Sequence, residues 1–327
     1  GTSAAPTARN YEIHHCDFSN GLPDYVYWCD VKNKDQEVGE AYSEFQSEAI
    51  SGPAPGFNIH HNRFHDSFDA MDLKGGTENT RILYNEFYRL RDDAITLSIV
   101  KNVEIAHNIM WHVGEGVSCD YDVADTKTDG DVYVHHNIID ASQYQHGGRT
   151  GNYRASNWPV WQIIDAFGSH GDTYPAKWKV YNNTTVHRRS GYSYNPAELP
   201  AKVQSGPDLY VYNNIFLILD DRICFRGRNA SSGAHYDGNV MYRLLDSTYH
   251  QPLPGNYPLF YQFGNGSSFF TLADFRSNSG TNWESKGLEI DPKMDINKIV
   301  HGSYDGGEAT WKRYFPRNSS VSTQGIS

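Results

Sequence analysis

The feature that most constrains this chain is an asparagine that recurs inside a short apolar pattern. The segments 57–64, 81–87 and 103–110 each contain an apolar residue, two variable residues, Asn, one variable residue and a second apolar residue. Their asparagines, Asn62, Asn85 and Asn108, are separated by 85 − 62 = 23 and 108 − 85 = 23 residues. A fixed period in this range predicts a solenoid, in which each repeat is stable only when it is stacked on its neighbours.

The same pattern extends to both sides of these three repeats with less regular spacing. It first occurs at 13–18, where Cys16 takes the place of the asparagine. Later repeats carry Asn137, Asn183, Asn214 and Asn239. We predict a solenoid over residues 1–246 that lacks part of its native N-terminal cap, with a polar, aromatic insertion at 141–177. Residues 247–327 are expected to form a C-terminal cap that packs on the solenoid.

The repeats are typical of β-strands that expose one face. Apolar residues alternate within them, as in Met71 and Leu73, and no helical stretch separates the strands, which excludes a βαβ sheet. Asparagine tolerates left-handed backbone geometry at a bend, and its amide can bond to the asparagines of neighbouring turns. We therefore predict an all-β parallel β-helix with long loops on one side.

Composition excludes several classes of partner. A formal net charge of −11 argues against nucleic acid, whose phosphates require a surplus of Lys and Arg. No apolar run approaches the roughly 20 residues that span a bilayer, so no membrane partner is expected. Four cysteines are too few for a disulfide scaffold. Cys16 and Cys29 either close a small loop or are buried free thiols.

An acidic residue begins a second apolar strand in three consecutive repeats. Asp69, Asp93 and Glu115 follow their asparagines by seven, eight and seven residues, and Asp92 adjoins Asp93. On strands stacked about 4.8 Å apart, ionised carboxylates repel, so at least one should have a raised pKa, as a catalytic acid requires. The alternative is that these side chains only cap backbone amides at a turn.

The repeats from Ile13 to Tyr242 resemble right-handed parallel β-helix proteins of the pectinase-like superfamily, and 271–292 resembles the terminal segment of many bacterial members. The acids are similar to those of polygalacturonase-type glycoside hydrolases, where an Asp, an Asp-Asp pair and a Gly-His-Gly occupy successive turns. Asp69, Asp92-Asp93 and Gly114-Glu115-Gly116 match these positions, with Glu115 replacing the His. The resemblance implies a secreted or periplasmic bacterial hydrolase that needs no cofactor.

A second resemblance implies a different reaction. Residues 69–74 resemble the lyase segment of alginate lyase and chondroitinase B relatives, in which a Lys at the place of Lys74 is the base. This implies β-elimination from a uronic-acid polymer. A cation, often calcium, then neutralises the uronate carboxylate, and Asp72 and Asp93 could hold it. The alternative is that Lys74 is a solvated residue at a strand end.

Histidines precede the asparagine in four of the repeats. They form either a metal stripe or an outward polar row, which Tyr84 interrupts, and the sequence does not identify a metal. The four residues are His15, His61, His107 and His136.

In the hydrolytic interpretation, Asp92 or Asp93 protonates the leaving oxygen while Asp69 or Glu115 activates water. The partner is a polysaccharide or oligosaccharide. Residues expected to hold it are Lys74, Arg91, His112, His146, Arg149, Trp158 and Trp161. For the residues of the insertion, the alternative is a packed loop core. A third class is a non-catalytic carbohydrate-binding or tailspike-like β-helix, in which the acids are only turn residues.

Overall fold

The computed structural model of the chain consists mostly of parallel β-strands, with a few short helices near the C-terminal end. It describes residues 9–19, 48–90, 93–98, 100–113, 115–119, 131–140, 177–187, 209–218, 225–227, 234–243, 261–263, 267–301 and 312–322. The predicted all-β architecture of mostly parallel strands is confirmed.

Three parallel sheets make up most of the described chain. The first sheet contains Glu12–His14, Asn58–His60, Glu78–Leu83, Lys101–Ala106, Asp131–His135, Lys177–Tyr181, Leu209–Tyr212 and Ala234–Asp237. The second contains Asp17–Ser19, Arg63–Ser67, Glu86–Leu90, Ile109–Trp111, Ile138–Asp140, Thr184–His187, Ile215–Ile218, Val240–Arg243 and Leu288–Glu289. The third contains Ile50–Gly52, Met71–Leu73, Asp93–Leu97 and Glu115–Cys119.

The strands between Glu12 and Cys119 enter these sheets in strict rotation: first, second, third, then first again. Each turn of the chain therefore adds one strand to each sheet, which is consistent with a β-helix-like solenoid. Equivalent side chains are brought into register from turn to turn, as when Ile59 pairs with Ile82 and Ile82 with Ile105. Their side chains are fully buried, and each such burial stabilises the fold by roughly 1.5–3 kcal/mol.

A ladder of buried asparagine amides runs along the bend between the first and second sheets. In each step, the backbone N–H and the Nδ2 of one asparagine both donate to Oδ1 of the next, over 2.9–3.1 Å. Nδ2 also donates to a carbonyl of the first sheet, as from Asn108 to Ile82. The ladder contains Asn62, Asn85, Asn108, Asn137, Asn183, Asn214 and Asn239. The predicted hydrogen bonds between turns are confirmed.

The left-handed bend, however, falls one residue earlier than predicted. The residue before each ladder asparagine has positive φ: 56° at Tyr84 and 57° at His107, for example. The asparagines themselves are not among the described residues with positive φ. Because the preceding residue makes the bend, the asparagine can turn its amide into the core rather than along the surface.

The C-terminal segment lies against the second sheet. Leu288–Glu289 pairs in parallel with Val240–Arg243. Met294, Ile299, Tyr314 and Val321 pack against the outer face of that sheet, which carries Ile138, Val186, Ile215, Leu217 and Val240. Helices occupy Leu272–Asn278, Ile296–His301 and Ser319–Ser322, with a 3-10 helix at Lys312–Tyr314. This covering explains why later strands of the second sheet are apolar on both faces.

A small sheet is formed by Phe225–Gly227, Tyr261–Phe263 and Ser268–Phe269. Cys16 is a free, exposed thiol, whereas Cys29 lies outside the described residues. No helix among the described residues has the length and apolar character needed to cross a membrane.

Candidate functional site

The third sheet and the bends that lead into it position the predicted acids. Asp93 begins its strand directly opposite Glu115 on the next turn. The backbone N–H of Asp93 donates to Oδ1 of Asp69 over 3.0 Å. Asp69 and Asp93 are therefore in direct contact, and Glu115 occupies the adjacent strand position on the other side of Asp93.

Asp69 and Asp93 differ in environment although they occupy equivalent places in the repeat. Asp69 is only 6% exposed, and Oδ1 caps the amide of Asp93. Asp93 is partly exposed, and its Oδ2 accepts a hydrogen bond from Thr96 Oγ1 over 3.0 Å. Its Oδ1 is buried and has no hydrogen-bond partner among the described residues. Buried polar atoms normally have partners, so this oxygen distinguishes Asp93 from a carboxylate that only caps a turn.

A row of polar side chains runs across the outer face of the third sheet. Ser51 pairs with Asp72, Asp72 with Thr96, and Thr96 with Ser118. Lys74 Nζ lies 2.6 Å from Oδ2 of Asp72 at one edge of the row. Sequence reasoning singled out Asp72 and Lys74 but missed the three hydroxyl residues. These residues could have been found by their position, since each lies between two residues of a strand that face inward, as Asp72 does between Met71 and Leu73.

His112 lies in the bend between the second and third sheets. It shares positive φ with Asp66 and Arg89, its equivalents on the two preceding turns. Arg89 makes two hydrogen bonds to the Asp66 carboxylate. Burial alone would raise the pKa of Asp66, but the hydrogen bonds from Arg89 and His65 hold it below its usual value. His112 is therefore part of a polar bend, a few residues before the strand that begins at Glu115.

The remaining predicted residues cannot be placed in this site. Arg91, Asp92, His146, Arg149, Trp158 and Trp161 lie outside the described residues, and for Glu115 only the backbone is described. Their roles stay predictions.

The histidines before the ladder asparagines form a stack of rings on the outside of the coil. His15 stacks on His61, His61 on Tyr84, Tyr84 on His107 and His107 on His136, with ring centroids 4.8–5.6 Å apart. Tyr84 continues this stack and does not interrupt the row as predicted. An aromatic ring suffices for stacking, and the stack does not need an imidazole at every turn.

One part of this stack brings three imidazoles together. A ligand nitrogen from each of His107, His135 and His136 lies within 4.8 Å of the other two. Burial lowers the pKa of all three, which favours the neutral imidazole. Sequence reasoning missed His135; the signal was the His-His pair at 135–136.

No protein-family model matches the chain, and no curated protein or solved structure matches it. The class that the fold and these sites define is an all-β protein of mostly parallel strands, consistent with a β-helix-like solenoid that carries polar groups along its outer bends.

Proposed function

We propose that this chain is a right-handed parallel β-helix of the pectinase-like superfamily that hydrolyses glycosidic bonds of a polysaccharide, with Asp93 and Glu115 as its carboxylate pair. The observation that carries the proposal is Asp93: it is partly exposed, and Oδ1 has no hydrogen-bond partner among the described residues. Glu115 lies opposite it in register. A glycosidase needs two such carboxyl groups on either side of the bond that it cleaves.

In this proposal Asp93 donates a proton to the leaving glycosidic oxygen, and Glu115 acts on the other side of the sugar. Adjacent strands are about 4.8 Å apart, close to the ~5–5.5 Å carboxyl separation of retaining enzymes. An outward splay of the side chains would give the ~6.5–9.5 Å of inverting enzymes. Asp69 is a positioning residue, because it is buried and holds the amide of Asp93. The enzyme would work in the periplasm or outside the cell.

The first test is the Asp93→Asn variant assayed on a panel of polysaccharides. We expect wild-type protein to release new reducing ends from one of them. The variant should be about 10²–10⁴-fold slower, because Asn cannot transfer the proton. The measurement is the initial rate of reducing-end formation.

The matched control is Glu86→Gln, which neutralises a carboxylate on the second sheet that pairs with Arg63 over 3.4 Å. This variant should keep the wild-type rate. An Asp93→Asn variant that folds and retains the full rate would contradict the assignment of Asp93, and a wild-type protein inactive on the whole panel would count against hydrolysis.

A second candidate is a polysaccharide lyase, which the Lys74–Asp72 pair favours. Their 2.6 Å contact places a cation at the edge of the polar row, where it could bind a uronate carboxylate. In this case uronic-acid polymers would yield an unsaturated product with ultraviolet absorbance. Lys74→Met would abolish the product, and a chelator would do so if calcium takes part. Binding without either product would identify a non-catalytic module.

A further inference from the structure

We propose that His107, His135 and His136 form a binding site for a divalent transition-metal ion such as Zn²⁺. Each of the three side chains offers one ring nitrogen, and these three nitrogens all lie within 4.8 Å of one another. Among the residues that the structure describes, no other set of three His, Cys, Asp or Glu side chains is this close. A Zn²⁺ ion binds imidazole nitrogen at about 2.0–2.1 Å, so small ring rotations would bring all three nitrogens into its coordination sphere. The site is separate from the carboxylates of the third sheet.

The fold brings these residues together across one step of the solenoid. His136 stacks on His107 with ring centroids 5.1 Å apart. His135 lies opposite the small Ala106 in the first sheet, so no bulky side chain separates it from the neighbouring His107. His135 Nδ1 and His136 Nδ1 are 2.8 Å apart, and each ring is nearly perpendicular to the other, at 85°. One Nδ1 therefore donates a hydrogen bond to the other, and a bound metal ion would take the place of the proton between them.

A carboxylate orients His135 for metal binding. Glu104 Oε1 lies 3.3 Å from Nε2 of His135, and Arg81 donates to Oε2 of Glu104 over 2.8 Å. With the proton on Nε2, beside Glu104, Nδ1 of His135 carries a lone pair that accepts the hydrogen bond from His136 and could bind a metal ion instead. This carboxylate–histidine arrangement is common behind metal ligands, because it fixes the tautomer and strengthens the ligand.

Asn182 can adjust the tautomer of His136 in the same way. Its amide nitrogen lies 3.2 Å from Nε2 of His136, and its Oδ1 is buried with no hydrogen-bond partner among the described residues. Rotating this amide by half a turn would let its oxygen accept a hydrogen bond from a protonated Nε2 of His136. His136 Nδ1 would then be free to bind the metal together with His135 Nδ1.

Three imidazoles favour Zn²⁺, Cu²⁺ or Ni²⁺ over Ca²⁺ and Mg²⁺, which prefer oxygen ligands. With three protein ligands, a fourth position stays available for water or a bound group. His135 is 9% exposed whereas His136 is exposed, so the site opens towards solvent on the side of His136.

The test is Zn²⁺ binding by the full chain, measured by competition with a chromophoric chelator, together with the visible spectrum of the Co²⁺ form. Wild-type protein should bind one ion through nitrogen ligands, without the thiolate band that coordination by the free Cys16 would give. His136→Asn and His107→Tyr should each weaken binding about 100-fold, and Glu104→Gln about 10-fold.

Residues at the equivalent position of other turns show which substitutions should preserve the fold. Asn182 and Tyr84 occupy the same left-handed position on other turns, so Asn and Tyr fit there. His61→Asn is the matched control, since it makes the same kind of change in the same stack outside the cluster, and it should bind as wild type does. The proposal is overturned if His136→Asn binds Zn²⁺ as tightly as wild type, if binding is lost in His61→Asn instead, or if wild-type protein binds no ion.

Discussion

Replacing Asn108 by alanine is expected to lower the free energy of unfolding by about 5 kcal/mol. The side chain makes four buried hydrogen bonds: Nδ2 donates to Asn137 Oδ1 and Ile82 O, and Oδ1 accepts from the backbone N–H and Nδ2 of Asn85. Alanine leaves the buried backbone N–H of Asn85 without its acceptor, which costs about 1–3 kcal/mol. It also removes one bond each from Asn85 Nδ2, Asn137 Oδ1 and Ile82 O, at about 0.5–1.5 kcal/mol per bond, although Asn85 Nδ2 and Asn137 Oδ1 keep another partner. Denaturant unfolding, followed by circular dichroism, measures the change.

The control is Asn102→Gly. Asn102 also donates its amide to an asparagine of the neighbouring turn, Asn79 Oδ1 at 3.2 Å, but this contact is exposed. Glycine suits the φ of 52° at this position. We expect a loss of about 1 kcal/mol or less, because water replaces the lost bond. Equal losses for Asn102→Gly and Asn108→Ala would show that burial of the ladder adds nothing to its stabilising effect.

The ladder has a direction, and this predicts the effect of aspartate. Each asparagine amide donates to the next turn along the chain and accepts from the turn before. A side chain that accepts hydrogen bonds but cannot donate them therefore fits only at the last step. The native chain has Glu284 there, accepting from the backbone N–H and Nδ2 of Asn239. Asn108→Asp should therefore be at least as destabilising as Asn108→Ala, since its carboxylate would face Asn137 Oδ1 without a proton between them.

The second large effect concerns pH and Glu284. Glu284 is only 1% exposed. Burial raises the pKa of its carboxyl from 4.5 to about 8, even though the hydrogen bonds from Asn239 act in the opposite direction. Between these two values the unfolded chain releases the proton and the folded chain keeps it. Stability should therefore fall as pH rises from about 4.5 to about 8, by about 5 kcal/mol in total, with no further loss above that range.

Glu284→Gln should remove this part of the pH dependence, because the amide cannot ionise. One glutamine oxygen can accept both bonds from Asn239, as a single Oδ1 does at every other step of the ladder. We expect the variant to match wild type near pH 4.5 and to exceed it in stability near pH 8. The measurement is the difference between the two curves of unfolding free energy against pH, with Glu86→Gln as the control for removing a surface carboxylate. Parallel curves for Glu284→Gln and wild type would refute the raised pKa.

Much of the fold could be predicted from local repetition. The 23-residue spacing of Asn62, Asn85 and Asn108 predicted stacked turns and amide bonds between them, because identical side chains at a fixed period must meet when the turns stack. The position of the left-handed residue could not be predicted in the same way, since both asparagine and its predecessor are compatible with a bend. Only the backbone shows that Tyr84 and His107 make it.

The candidate sites were less accessible to sequence reasoning. Asp69 and Asp93 have nearly the same spacing from their asparagines, yet Asp69 caps an amide, whereas Oδ1 of Asp93 has no hydrogen-bond partner within the described part of the chain. The His cluster depends on a pair at 135–136 and on a neighbour 28 residues earlier, 135 − 107 = 28. A pattern search that follows one position per repeat does not find such a group.

The sequence by itself determined the period of the coil, the parallel strands and the amide ladder, because each follows from a side chain that is repeated at equivalent positions. The tertiary structure decided how the ladder ends and where the imidazoles meet. Glu284 follows Asn239 by 45 residues in a segment without repeats, and the loops between the later turns vary in length. Contacts of this kind depend on the path of the chain in space, which no fixed spacing encodes.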